Sequence, residues 1–555
     1  MWRAGGRAGR CAGLRGVRGC VTQARCNLGT EGTEGVETRA ALLGPRGVAA
    51  VYALLGACVL APVLSVRVPC LGDYLNHLAR VHILTTIDGS PALQQFYEPT
   101  WRLVPYFGMD VPVALLARFI GIYAAGRLFV ALCVVMPVLA AASLQYAVRR
   151  RVGLVPAFAF LISYNYLLAR GFLAYLFSAG LAVMLFAAWV ATEGWPRWRR
   201  VCVFAAAALL LYFSHVFAFL AYGILVGGYE FGRVARARGR PLGVLAADVA
   251  VAAAQALPVL AVVVVLRADG TFGSENVTRY GSLAEKLGAF LSPLYFPGSG
   301  WVTAVCLLVP LTGGVLLRWS MLAPSVWPSL LAVALVACCV PHVLANLWGA
   351  DMRLPLVAAI VLIGGAMPGP AIGRRTAALA LAVVAALVVV RSADAFVMLR
   401  RLDAQVAQVR RVVAPLPPGA RLLVVDADEA APGRVAPAAL TGHLGLVAAI
   451  DRDAFVPFLF VGATALQVRP SMQRVASPNA VAITPEQLQE GAARRGPAAG
   501  PEKFGYGGQK YWLGWPETFN YVLIMHFGAA IGKLPPMLQK IAASGTADLY
   551  QVMPR

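Results

Sequence analysis

The chain has 555 residues, 59% hydrophobic and only 13% charged, with a mean hydropathy of +0.69. A soluble domain cannot cover so much apolar surface, so a soluble globular protein is excluded and a polytopic membrane protein is predicted. The net charge of +22 does not point to nucleic acid, because the arginines fall in short clusters between apolar segments, as in cytoplasmic loops.

Residues 1–45 are rich in Gly and Arg, hold no apolar run and read as a disordered cytoplasmic tail, with a basic arm on the membrane surface as the alternative. Apolar runs of about 20 residues then predict spans near 47–66, 126–147, 152–169 and 172–192. The first span carries the chain outward, into a first outer loop over 67–125, and the arginines at 149–151 and 197–200 mark the inner side. Between 201 and 230 a single crossing would put Arg233 and Arg236 outside, against the charge rule. Two helices broken at Ser214-His215 avoid this and bring His215 to the outer side. Further spans near 242–266, 301–318, 328–344, 355–369 and 376–391 bring the total to about eleven. A transmembrane domain over 46–392 is therefore followed by an outer C-terminal domain over 393–555.

In that domain, Pro415, Pro417 and Pro418 break a helical stretch, and apolar runs at 422–425, 521–525 and 549–553 read as strands. Residues 535–543 read as a helix and 476–502 as a loop, which gives a small α/β domain. The fold class is thus a polytopic α-helical membrane protein with a C-terminal extracytoplasmic α/β domain. Ten cysteines, none beyond Cys339, show no metal-ligand spacing. Only five of the 48 basic residues are lysines, an association with GC-rich bacterial coding that suggests the inner (cytoplasmic) membrane and a periplasmic C-terminal domain.

The chemistry concentrates after the first span. If residues 72–88 are helical, Asp73, His77 and Arg80 share one face, with Asn76 beside them. That face carries an acid, an imidazole, a guanidinium and an amide. Asp110 closes the same loop, as a second carboxylate or as a cap for a helix beginning at Val111. Asp73, His77 and Asp110 are the candidate catalytic residues. Arg170 at a hairpin tip, His215 inside an apolar run, and His342, Asn346, Trp348, Asp351 and Arg353 around a short outer loop fall on the same side. Structural roles compete for each: Asp73 as an N-cap, Arg80 snorkelling to headgroups, His215 packing between helices, and Asp351 with Arg353 as an interfacial ion pair. Asp426-Ala427-Asp428 has the letters of a nucleotide-sugar motif but lacks the glycine-rich signals that should accompany it. The aromatic cluster Phe504, Tyr506, Tyr511, Trp512, Trp515 and Phe519 suits sugar stacking or a buried core equally.

An acidic residue just after the first span, opening a large outer loop in a polytopic chain with a trailing outer domain, resembles the GT-C superfamily of membrane glycosyltransferases. The resemblance covers residues 47–391 and rests on position and architecture more than on letters. It implies a polyprenyl-phosphate-linked sugar donor, a glycan, lipid or protein acceptor, Asp73 as the base, and inversion at the anomeric carbon. Asn76, Arg80, Arg170, His215, His342, Asp351 and Arg353 are then candidates for binding substrate, a guanidinium being suited to phosphate oxygens. Many members have two adjacent acidic residues, whereas here Tyr74 follows Asp73, so the motif leaves a divalent metal (Mg or Mn) open. A transporter or flippase for a saccharide, and a non-catalytic scaffold for envelope polysaccharide assembly, are the competing classes. Membrane lipids are expected partners in every case.

Overall fold

The computed structural model describes residues 43–554 except 101–104, 238–240, 269–276, 318–319, 346, 369–372, 427–430, 435, 462–464, 478–480, 494–502 and 505–507. Most of the N-terminal tail, Asn346, Ala427, Asp428 and Tyr506 therefore lie outside the described residues.

Helix α1 (Pro45–Leu64) opens on Pro45, whose missing N–H has no helical partner to lose in a first turn. Its 20 residues rise about 30 Å, the thickness of the hydrocarbon core. Helix α2 (Tyr74–Thr86) follows, then α3 (Phe107–Ile120), α4 (Ile122–Arg149) and α5 (Leu173–Ala191). Helix α3 begins at Phe107, not at Val111, so Asp110 lies inside its first turn and does not cap it. The expected break in 201–230 is present. Helix α6 (Arg197–Ser214) stops and α7 (Val216–Arg236) starts at His215, whose backbone is extended between them.

Then come α8 (Leu242–Ala254), α9 (Leu257–Ala268), α10 (Leu283–Leu291), α11 (Gly300–Leu317), α12 (Trp327–Cys339), α13 (Arg353–Gly365) and α14 (Arg374–Val413). Among the described residues, α1, α4, α5 and α14 are each long and apolar enough to cross a membrane. The pair α8 and α9, bent by 42°, makes a fifth if it is one span. The other expected crossings have a different form. Helices α12 and α13 have 13 residues each, about 20 Å, too short to cross the hydrocarbon alone. Segment 152–169 is a 3-10 helix, Val155–Ile162, followed by the single turn Tyr166–Ala169.

Helices α4 and α5 form the buried centre. Two-thirds of each apolar window is covered by protein, against 22% for α1 and 28% for α14. Helix α14 has 40 residues, about 60 Å or twice the hydrocarbon thickness. The apolar run ends at Arg391, but the helix continues, because that guanidinium is buried and donates to the Leu294 carbonyl (2.6 Å) and the Thr303 hydroxyl (3.1 Å). The expected domain boundary at 392/393 thus falls inside one continuous helix.

Beyond α14 a four-stranded sheet is built from β2 (Leu422–Asp426), β4 (Tyr521–Met525), β5 (Leu538–Ala543) and β6 (Ala547–Val552), in the order β5-β6-β4-β2. β2 and β4 are parallel and the other pairs antiparallel. The expected helix at 535–543 is in fact the edge strand β5. Leu538 and Ile541 fit a helical spacing, but the short turn at 544–546 returns the chain directly beside it as β6, and the ladder supplies the hydrogen bonds. The expected loop 476–502 contains α15 (Pro485–Ala493), opened by a reciprocal cap in which Thr484 Oγ1 accepts from Gln487 N–H and Gln487 Oε1 accepts from Thr484 N–H. Strand β1 (Tyr97–Pro99), between α2 and α3, pairs antiparallel with β3 (Leu466–Val468), joining the segment that follows α1 to the C-terminal region.

Candidate functional site

The start of α2 is pinned by backbone contacts before any side chain acts. Gly72 and Asp73 N–H donate to the carbonyls of Ala169 (2.8 Å) and Arg170 (2.9 Å). The turn presses close enough that a Cβ on Gly171 would sit 2.5 Å from the Asp73 nitrogen, and Gly171 has a φ of +81°. Only glycine fits there. Asp73 is at the N-cap position, but its side chain takes no cap hydrogen bond. Its carboxylate meets His443 Nε2 of the C-terminal domain at 3.4 Å.

Asn76 determines which proton His443 carries. Asn76 Oδ1 accepts the N–H of Phe460 (2.6 Å), so its amide nitrogen must face the Phe458 carbonyl (3.0 Å) and His443 Nδ1 (3.3 Å). An amide NH₂ only donates, so Nδ1 accepts and the proton of a neutral His443 is on Nε2, aimed at Asp73. Burial pushes the Asp73 pKa upward. The hydrogen bond from His443 and the pull of His443, His77 and Arg170 outweigh it and hold the carboxyl below its ordinary value. Asp73 is therefore an anion at neutral pH.

His77 lies one turn along, half-buried, its ring edge-on to Phe460 at 5.4 Å. Burial, with the charge of Arg80, pushes its pKa down to about 4, so it is neutral at pH 7. Among the described residues its Nδ1 has no hydrogen-bond partner. Arg80 and Asp110 are committed to one another through a buried two-pronged pair, Nε to Oδ2 at 3.1 Å and Nη2 to Oδ1 at 2.7 Å. This pair clamps α2 to α3. It occupies the fork that would meet a phosphate and the carboxylate that would be a second acid.

Arg170 lies over the Trp348 indole at 4.6 Å and adds positive charge beside Asp73. Arg353 opens α13 inside an aromatic cage of Phe172 (4.8 Å), Phe217 (4.7 Å) and Tyr175 (5.7 Å), and donates to the Trp348 carbonyl (3.1 Å). Asp351 does not pair with Arg353. It takes His342 Nδ1 at 3.0 Å and Lys286 Nζ at 3.3 Å, and so braces the loop that carries Trp348. His215 caps α7 by accepting from Phe217 N–H (3.2 Å), its ring held between Tyr106 (5.2 Å) and Tyr175 (5.3 Å).

The predicted residues thus divide. His77 and Arg170 flank the Asp73 carboxylate; Arg353, His215, His342 and Asp351 are held around Trp348, Phe172 and Tyr175; Asn76 is bonded to His443, Phe458 and Phe460, and Arg80 and Asp110 to one another. Sequence reasoning missed His443, Phe460 and Lys286. The one available signal was scarcity. Only six histidines occur in 555 residues, and five of them lie on α2 or on the elements around this site. Tyr511, Trp512, Trp515 and Phe519 are buried, with Trp515 Nε1 donating to Leu488 O, so they form the core of the C-terminal domain. Among the described residues no three His, Cys, Asp or Glu side chains converge as metal ligands, and the anionic donor at this site already receives the His443 N–H. Comparison of the chain with protein-family models, curated proteins and solved structures gives no match.

Proposed function

We propose that the protein is a membrane glycosyltransferase that moves a sugar from a polyprenyl-phosphate donor to an acceptor hydroxyl, with Asp73 as the base. The single observation that carries this reading is an ionised carboxylate oriented by His443 and flanked by Arg170, where the first outer loop, the 169–171 turn and the C-terminal domain meet. In this reading these elements face the periplasm of a bacterial inner membrane. Helices α11, α12 and α13 and the 152–169 segment then complete a bundle of about eleven crossings, the short ones as partial spans.

The acceptor oxygen attacks the anomeric carbon from the face opposite the phosphate, and the bond from that carbon to the phosphate oxygen breaks. The electron pair leaves with the polyprenyl phosphate, and the hydroxyl proton passes to Asp73. A carboxylate with a lowered pKa is a weak base towards a free alcohol. It suffices when the proton moves late, after the new bond has made the hydroxyl acidic. His443 does not exchange that proton; it holds the carboxylate in place. Arg170 offers a guanidinium to the departing phosphate, and the caged Arg353 adds positive charge behind it. Neutral His77 can donate or accept one hydrogen bond without adding a competing charge.

The test is purified protein in nanodiscs with a panel of polyprenyl-phosphate sugars and hydroxyl acceptors. Transfer by wild type and its loss in Asp73→Asn support the reading. Undiminished transfer by the variant removes Asp73 as the base. No transfer across the panel moves the balance to transport or scaffolding.

A further inference from the structure

A second feature lies away from Asp73, on the flank formed by α1 and α14. These are the least covered of the four single-helix spans, and they pack on one another, with Arg400 Nη1 donating to Ser65 O at 2.9 Å. Where they leave the apolar zone, an open cavity of about 840 Å³ is lined by Arg67, Asp403, Arg410, Arg411, Asp451 and Arg452, among others. Four guanidiniums face two carboxylates. Both carboxylates are engaged: Asp451 by Arg410 (2.6 and 3.0 Å), and Asp403 by the N–H groups of Arg67 (3.1 Å) and Val68 (2.9 Å). No hydrogen bond or ion pair to another described residue occupies the side chains of Arg67 and Arg411, and both residues are exposed.

The exposed face of α14 explains what could fill this cavity. Phe396, Arg400, Ala404, Ala407 and Arg411 recur every three or four residues and are all exposed, so they form one stripe. It begins apolar, with Val397 beside Phe396 and Leu64 exposed on α1, and becomes basic as it rises. The two alanines leave a shallow floor between Arg400 and Arg411. A ligand matching this surface has an apolar tail lying on the helices and an anionic head among the arginines. We infer that the α1/α14 groove is a binding site for the phosphate headgroup of an anionic phospholipid of the surrounding leaflet. The site holds the chain five to six residues before Asp73, so an occupied groove steadies the stretch from Arg67 to Gly72. The inference rests on the membrane placement of α1 and α14 and not on the transferase reading.

The test is native mass spectrometry of the full-length protein released from nanodiscs of phosphatidylcholine containing phosphatidylglycerol. The comparison is between wild type, Arg67→Gln/Arg411→Gln, and Arg374→Gln/Arg375→Gln at the opposite end of α14. Wild type and the opposite-end variant should retain one tightly bound phosphatidylglycerol, and the groove variant should bind it about thirtyfold more weakly. Equal retention by all three proteins overturns the site, as does equal retention of phosphatidylcholine. Displacement by millimolar inorganic phosphate would show an ion site and overturn the lipid assignment. Because the readout is lipid retention, a protein without transferase activity still gives a decisive answer.

Discussion

Asn76→Ala isolates the joint between α2 and the C-terminal region. The wild-type amide makes three contacts, all with the segment from His443 to Phe460. Alanine strands the buried Phe458 carbonyl and the partly buried Phe460 N–H and removes the donor that holds His443. An unsatisfied buried polar group costs about 1 to 3 kcal/mol, so two of them predict about 2 to 6 kcal/mol of lost docking energy. The lost contacts lie at one joint, and an assay that reads that joint alone resolves their loss more directly than a global unfolding midpoint. Limited proteolysis in detergent is the better assay. The variant should be cut within 414–465 at least tenfold faster than wild type, while the membrane helices stay protected. Asn76→Asp serves as a shape control. It keeps the acceptor for Phe460 but opposes an oxygen to the Phe458 carbonyl, so it should also open the joint. Cleavage of Asn76→Ala at the wild-type rate would refute the claim that this amide fastens the two parts.

Further outcomes follow from other contacts. Gly171→Ala puts a Cβ 2.5 Å from the Asp73 nitrogen at a φ of +81°, which costs about 1 to 3 kcal/mol in backbone strain alone. It should lower the thermal midpoint and abolish any Asp73-dependent activity, and unchanged values of both would contradict the packing of that turn. Arg80→Met leaves Asp110 buried without its partner and should destabilise by about 3 to 5 kcal/mol, whereas Arg80→Met/Asp110→Leu should recover most of the loss in thermal unfolding. The His77 pKa is lowered from 6.5 to about 4, so the unfolded chain binds the proton first as pH falls. The resulting stability is fully present above about pH 6.5 and is lost as pH drops towards 4, by about 1 to 3 kcal/mol for a half-buried ring. Denaturant titrations of wild type and His77→Gln should diverge across that window, and parallel curves would remove the buried neutral imidazole.

The parts of the fold that can be read in the chain are those governed by one-dimensional spacing. The face of α2 follows from 3.6-residue periodicity, and the break at His215 follows from charge balance. What cannot be read depends on partners distant in sequence. Arg391 ends the apolar run, so α14 reads as a short span. Only the folded chain supplies the Leu294 carbonyl and Thr303 hydroxyl that let it continue. Arg80 reads as a substrate ligand and Asp110 as a second carboxylate or a helix cap, and their mutual pairing across 30 residues depends on the angle between α2 and α3. His443 follows Thr441-Gly442 in a stretch without periodicity, and it reaches Asp73 across 370 residues because the C-terminal region docks on the segment that follows α1 through β1, β3 and Asn76. Strand β5 reads as a helix because its two large apolar residues, Leu538 and Ile541, are three apart, a helical spacing.

The most direct test of the central claim separates binding from chemistry at Asp73. Donor affinity and single-turnover transfer should be measured for wild type and Asp73→Asn in nanodiscs, with an acceptor hydroxyl present. Asparagine keeps the shape and an acceptor for the His443 N–H, so donor Kd should stay within about threefold. The transfer rate should fall by about 10² to 10⁴, the usual contribution of a positioned base. A rate within tenfold of wild type at unchanged donor affinity would contradict the account.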